Sequence, residues 1–359
     1  MPDPRVAGAR AAVLAALPPY RESGAFPGAV LLLAPGRVVA AHEAYGDAVR
    51  YAADGSALPV PERVPVQRDT VYDLASITKT VTAVVVLALA ERGLLDLDGR
   101  VGELLPAFRG GGKEAVRIRD LLTHTAGLPA TIELWHHPGE RAELLDRVAR
   151  TPLVSEPGKR YLYSDLGPML AGAVAELCGG ARLDELVAGY VTGPLGMADT
   201  GFRPSGDRLA RCAATEAQPW TGRPMIRGDV HDENAWALGG VAGHAGLFGT
   251  AADVGALAGL LAGGGQNPSG VLSPESVELM LADHGAGNGM GADVGRVSTT
   301  GRLASPRTAS HTGFTGTFWV ADRRTGSYAV LLTNRVHPSR HGGGVNASRV
   351  AVAEALLPG

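Results

Sequence analysis

Apolar and polar positions divide this chain into blocks of different period. Residues 5–17 place apolar side chains at helical spacing ahead of Pro18 and Pro19, which predicts an opening amphipathic helix. Residues 29–34 and 37–41 are β-rich runs joined at Pro35 and Gly36, the signature of a hairpin. Residues 51–69 are rich in proline and polar groups and read as a surface connection leading into residues 70–74. From Ser76 to Arg92 the chain is helix-compatible and almost continuously apolar until Gly93, so a helix buried on every side is predicted.

Residues 97–282 carry mainly helical patterns, at 118–122, 140–150, 166–177, 183–190, 253–261 and 274–281, punctuated by Gly and Pro. Beyond them, residues 317–322 and 328–334 read as strands on either side of a turn at 324–327, and 345–357 closes as a helix. The layout predicts an α+β protein. Residues 1–96 together with 283–359 form a sheet domain, and 97–282 form a mostly helical one.

Composition narrows the class. The 359 residues are 45% hydrophobic and 19% charged, which excludes a disordered polymer, and 50 Gly with 24 Pro and no repeat period imply many turns. A net charge of −3 argues against nucleic acid as a partner. Cys178 and Cys212 are too few and too far apart for a disulfide framework or a zinc site, and read as buried thiols. Residues 81–90 are too short to span a bilayer, while 238–265 are interrupted by His244, Asp253 and glycines. With an opening apolar segment of about seven residues, too short for a leader, the expectation is a cytoplasmic monomer without membrane partner or cofactor.

Chemistry enters through the lysines. Only Lys79, Lys113 and Lys159 occur among 33 basic residues, and Lys79 lies inside the apolar helix, three residues after Ser76. A desolvated lysine, unlike arginine, can lose its proton and serve as a base. A serine hydroxyl needs such a neighbour to become a nucleophile, and Ser76 sits at the helix N-terminus, where free amides favour developing negative charge. Ser76 as a plain cap and Lys79 reaching to water is the bland alternative. A second cluster, Tyr161 to Asp165, precedes the helical pattern from residue 166, and Tyr163 is a candidate proton relay, although Ser164 or Asp165 also suits an N-cap. In a third, His311 to Thr317, small residues let a substrate lie along a strand and the Phe314 amide can join an oxyanion hole.

Taken together, Ser76-Ile-Thr-Lys79, Tyr163-Ser-Asp165 and His311-Thr-Gly313 resemble the motif set of the serine β-lactamase and penicillin-binding protein superfamily. The likeness is greatest to the class C β-lactamase and family VIII esterase branch. Leu121-Leu-Thr-His-Thr-Ala-Gly-Leu128, Gly193-Pro-Leu-Gly-Met197, Val230-His-Asp-Glu-Asn234 and Gly239-Gly-Val-Ala-Gly-His-Ala-Gly-Leu-Phe248 extend it from about Pro27 to Leu357. The resemblance implies a β-lactamase/transpeptidase-like fold, an antiparallel sheet flanked by helices with a helical domain alongside and the active site in the groove between them. It implies that Ser76 attacks an acyl carbon, that Lys79 and Tyr163 manage its proton, and that the Ser76 and Phe314 amides hold the oxyanion.

Asp165 stands where an amide is usual, and His311 where the penicillin-active members carry lysine, which points to neutral or cationic esters and amides rather than anionic β-lactams. Asp165, His311, Thr312, Gly313, His231 and His244 are the candidate substrate contacts. The leading expectation is an esterase or amidase working through an acyl-enzyme. The others are a transacylase passing the acyl group to an amine in small-molecule biosynthesis, a D,D-peptidase or β-lactamase, and a non-catalytic binding module. A metal hydrolase assembled from His136 with His137, His231 with Asp232 and Glu233, or His337 with His341 is disfavoured, since no pair has the spacing of a zinc helix, and no metal is expected.

Overall fold

The computed structural model describes residue 11, residues 24–266 and residues 269–357. The expected helix over residues 5–17 lies outside them apart from residue 11.

Among the described residues, ten strands make two sheets. β1 (Gly28–Ala34), β2 (Ala41–Val49), β3 (Val64–Pro65), β7 (Asp293–Val294), β8 (Thr308–Thr312), β9 (Phe318–Asp322) and β10 (Ser327–Thr333) form an antiparallel sheet in the order β3-β2-β1-β10-β9-β8-β7. β1 pairs with β10 from Ala29 opposite Thr333 to Ala34 opposite Tyr328, so the two ends of the chain close one sheet. A small sheet of β4 (Tyr72–Asp73), β6 (Leu247–Gly249) and β5 (Gly201–Phe202), in the order β4-β6-β5, stands apart from it.

The run Gly-Ala-Val-Leu-Leu-Leu-Ala of β1 is apolar throughout because both faces are covered. Val30 and Leu32 face the larger core, while Ala29, Leu31 and Leu33 face a second one with Phe318, Val320 and the closing helix α4, Val345–Glu354. Three other helices matter for the site: α1 (Ile77–Glu91), α2 (Leu166–Gly179) and α3 (Ala251–Ala262). Every residue of α1 from Ile77 to Leu89 is buried. Its hydroxyls are satisfied across the core: Thr80 donates to Gly291 O at 2.7 Å, Thr82 donates to Gly243 O at 2.9 Å, and Thr78 Oγ1 accepts from Leu247 N at 3.2 Å.

Three expectations change. The second arm of the hairpin starts at Ala41 rather than residue 37, because a 3-10 turn at Pro35–Arg37 with Gly36 and Arg37 at φ 58° and 70° uses up the start of that run and leaves Val38 and Val39 exposed. The connection over residues 51–69 contributes β3 to the sheet edge, where Pro65 is tolerated. Helix α3, grouped above with the helical region, lies against the sheet: a Cβ on Gly255 would stand 3.2 Å from Leu32, and one on Gly259 3.3 Å from Tyr328. Among the described residues no helix is long and apolar enough to cross a membrane.

Backbone also meets backbone behind Lys79. A Cβ on Gly243 would lie 2.0 Å from Pro168 O on α2, so only glycine lets this loop cross that helix. Gly243→Ala is expected to destabilise the protein by about 1–3 kcal/mol through overpacking; an unchanged urea midpoint would contradict the crossing.

Candidate active site

β4 delivers the chain to Ser76 through a strained step. Ala75, a non-glycine residue, has φ 47°, and its amide is held by Asp73 Oδ1 at 2.8 Å. Ser76 then precedes α1, and one turn later Lys79 Nζ lies 2.7 Å from Ser76 Oγ. The same ammonium reaches Asp165 Oδ1 at 2.8 Å and His244 O at 3.2 Å. Lys79 is 1% exposed. Three protons on Nζ thus meet three oxygen acceptors, an arrangement suited to the charged form.

The electrostatics agree. Burial pulls the Lys79 pKa down, but electrostatic attraction to Asp165, then to the Tyr163 oxygen, and the hydrogen bonds that Lys79 donates to both outweigh it, and the net direction is upward. The uncharged amine expected from desolvation alone is therefore not the resting state. Asp165 is the reason: at the start of α2, with its amide bonded to Ala130 O at 2.8 Å, it puts a carboxylate where the charge is needed.

Tyr163 is half-exposed, with its ring centroid 5.0 Å from Lys79 Nζ. Behind it, His124 stacks at 4.7 Å and 32°, and its Nδ1 accepts the Ser164 amide at 3.1 Å. Ser164 is buried, donating to Pro129 O and capping Leu166 N. His311 lies 6.5 Å from the Tyr163 ring, with Nδ1 bonded to Thr312 O. Burial first, then the Lys79 charge, lowers the pKa of both His124 and His311 to about 3, so both rings stay neutral near pH 7.

Ser76, Tyr163, Thr312, Gly313 and Phe314 line a cavity of about 480 Å³. Arg335, residues 342–345, Asn346 and Arg349 complete its lining. Among the described residues, neither the Ser76 nor the Phe314 amide has an acceptor, which leaves two donors for an oxyanion. A larger surface cleft of about 650 Å³ beside the helix Arg141–Arg150 contains none of these motif residues.

Two expected substrate contacts lie behind the cavity lining. His231 Nε2 pairs with buried Glu216 at 2.8 Å, while its ring backs Phe314 at 5.5 Å. Burial raises the Glu216 pKa, but hydrogen bonds from His231 and Arg340 outweigh that and bring it to about 2. His244 is 1% exposed, bonded through Nε2 to Asp232 at 2.9 Å, and offers Lys79 its carbonyl. Both are supports rather than lining, because each ring turns its Nε2 to a carboxylate inside the protein and neither residue lines the cavity. Conversely, Arg335, Asn346 and Arg349 were missed: nothing in their spacing marks them, and only the packing of α4 and of the segment after β10 against the β8–β9 turn brings them into the same cavity lining as Ser76. His136 pairs with Glu133, and His337 Nε2 accepts the amides of Arg50 and Tyr51; among the described residues no three His, Cys, Asp or Glu are grouped to hold a metal.

Two outcomes follow from these charges. In the unfolded chain His124 and His311 protonate near pH 6.5, but in the folded chain only near pH 3. The unfolded state therefore binds more protons between those values, and stability falls as pH drops from about 6.5 towards 3. Thermal melts between pH 4 and 7 should show a shallower slope for His311→Asn than for the parent; equal slopes would contradict the neutral ring. Because the chain has three lysines, isotope-labelled lysine resolves Lys79 by NMR. It should remain an ammonium far into alkali in the parent and titrate at lower pH in Asp165→Asn, and identical titrations would remove Asp165 from its role.

Comparison with known proteins places the chain. The family described as Beta-lactamase matches residues 13–354. An Escherichia coli K12 protein provisionally named D-alanyl-D-alanine carboxypeptidase is 34% identical over 346 residues, covering 87% of this chain and 79% of that protein. Among solved structures, EstCE1, described as a hydrolase with promiscuous acyltransferase activity, superposes with a TM-score of 0.79 at 24% identity over 98% of this chain and 99% of that one. Simvastatin synthase (LovD) from Aspergillus terreus gives 0.73 at 21% identity over 97% of each chain. These structural likenesses bear on the fold alone, which is the β-lactamase/transpeptidase-like fold. By the match across nearly its whole length, the chain belongs to the beta-lactamase family.

Proposed function

We propose that the protein hydrolyses an ester or amide through an acyl-enzyme on Ser76, and that its substrate carries a free carboxylate. The observation that carries the reading is the Ser76 Oγ to Lys79 Nζ distance of 2.7 Å at the edge of a cavity holding two unengaged amides. Ser76 Oγ forms a bond to the acyl carbon while its proton passes to the Tyr163 oxygen and the proton that oxygen carried passes on to the departing oxygen or nitrogen, so that Tyr163 ends the step as it began; the oxyanion rests on the Ser76 and Phe314 amides. Lys79, kept charged by Asp165, stabilises the negative charge on Ser76 Oγ rather than removing its proton. Water then takes up the acyl group and frees Ser76.

The carboxylate preference replaces the expectation of neutral or cationic substrates. That expectation counted Asp165 as a free negative charge, but Lys79 neutralises it. Arg335 and Arg349 line the cavity, and among the described residues neither has a carboxylate within ion-pair distance; their bonds go to carbonyls and to Asn346. Burial first, then repulsion from Arg335, lowers the Arg349 pKa to about 10, the mark of a buried charge without a counter-ion. A peptide ending in a free carboxylate meets this description, as does the name borne by the Escherichia coli relative.

The test uses intact-protein mass spectrometry with a D-alanyl-D-alanine peptide, its C-terminal amide and an activated ester. The activated ester should leave an acyl adduct that Ser76→Ala abolishes, and the free-acid peptide should turn over at least about tenfold faster than its amide, the worth of one charge-assisted contact. No adduct on the parent would end the acyl-enzyme reading; an adduct with faster turnover of the amide would end the carboxylate preference alone.

A further inference from the structure

The oxyanion hole is made of two pieces of chain that are distant in sequence, the Ser76 turn and the turn between β8 and β9. Something must hold their amides at the spacing of one oxygen. Gly313 touches the first piece directly: a Cβ there would lie 2.6 Å from Leu74 O and 3.3 Å from the Ala75 Cβ. Contact alone prevents approach but does not fix position. Two buried hydroxyls supply the directional bonds. Thr315 Oγ1 donates to Asp73 O at 2.7 Å, and Thr317 Oγ1 donates to Leu74 O at 3.0 Å. Leu74 O is also the acceptor for Ile77 N at 3.1 Å, the first amide of α1, so one carbonyl bonds both sides of the hole.

We propose that Thr315 and Thr317 are positioning residues for the oxyanion hole, fixing the Phe314 amide relative to that of Ser76; this rests on the acyl-enzyme reading above. The rest of the β8–β9 turn is held on all sides. Arg349 donates to Gly313 O at 2.9 Å, Arg335 Nε to Phe314 O at 2.8 Å, Arg335 N to Thr315 O at 3.0 Å and Thr333 Oγ1 to Gly316 O at 3.0 Å. These bonds stiffen the turn or tie it to elements other than the nucleophile's. Among the described residues, only the two threonine hydroxyls bond it to the segment that carries Ser76, and they lie one and three residues after the amide they place. Because an oxyanion hole works only at the right donor distance, loss of either link should weaken transition-state binding more than substrate binding.

The experiment compares Thr315→Val and Thr317→Val, which keep the shape and delete the hydroxyl, with Thr315→Ser and Thr317→Ser, which keep the hydroxyl. Acylation by an activated ester should fall at least about tenfold in kcat in each valine variant with KM little changed, short of the 10²- to 10³-fold loss of a whole donor. The serine variants should recover most of the rate. The infrared carbonyl stretch of the acyl-enzyme should move to higher frequency in the valine variants, a change that general destabilisation does not produce. Where a valine variant fails to fold, alanine at the same position gives the same comparison with serine. Full-rate acylation by the valine variants, or equal loss in valine and serine variants, overturns the proposal; failure of the parent to acylate overturns the acyl-enzyme reading instead.

Discussion

A buried ammonium inside an apolar helix is the constraint around which this molecule is arranged. Removing Lys79 from water costs several kcal/mol unless opposite charge and hydrogen bonds replace the solvent. Asp165 at the head of α2, the carbonyl of His244 and the hydroxyl of Ser76 are the replacements, and each comes from a different part of the chain. Bringing them together requires α2 and the loop through Gly243 to pack against α1 with backbone in contact, and glycine is what permits it. The same packing that satisfies the charge places it beside the hydroxyl. Stability and chemistry here share one geometry.

Around that charge the protein keeps other groups neutral. His124 and His311 flank Tyr163 as unprotonated rings, so a single positive centre acts on Ser76 from within the core. Positive charge also lines the cavity at Arg335 and Arg349, where a bound carboxylate would complete what the protein leaves open. Farther back, Glu216 takes hydrogen bonds from His231 and Arg340 and so supports the ring that backs Phe314. Polar groups that look like candidate ligands in the sequence are, in several cases, the struts of the groups that face the cavity.

Periodicity and composition determined much by themselves. The unbroken apolar run after Ser76 had to be a buried helix, and the i, i+3 spacing put Ser76 and Lys79 on one face, because local helical geometry settles such a relation without reference to the rest of the fold. The strands at the two ends of the chain, with their apolar runs, were legible for the same reason. What the tertiary structure alone decided was the state and direction of the groups. Whether Lys79 is charged depends on Asp165, 86 positions away, and whether His231 and His244 face ligand or core depends on Glu216 and Asp232. Arg335 and Arg349 became part of the cavity only when the sheet and α4 met the β8–β9 turn. Short-range spacing fixes which side chains share a helix face, but desolvation and Coulomb interaction depend on distances between segments that only the packed chain defines.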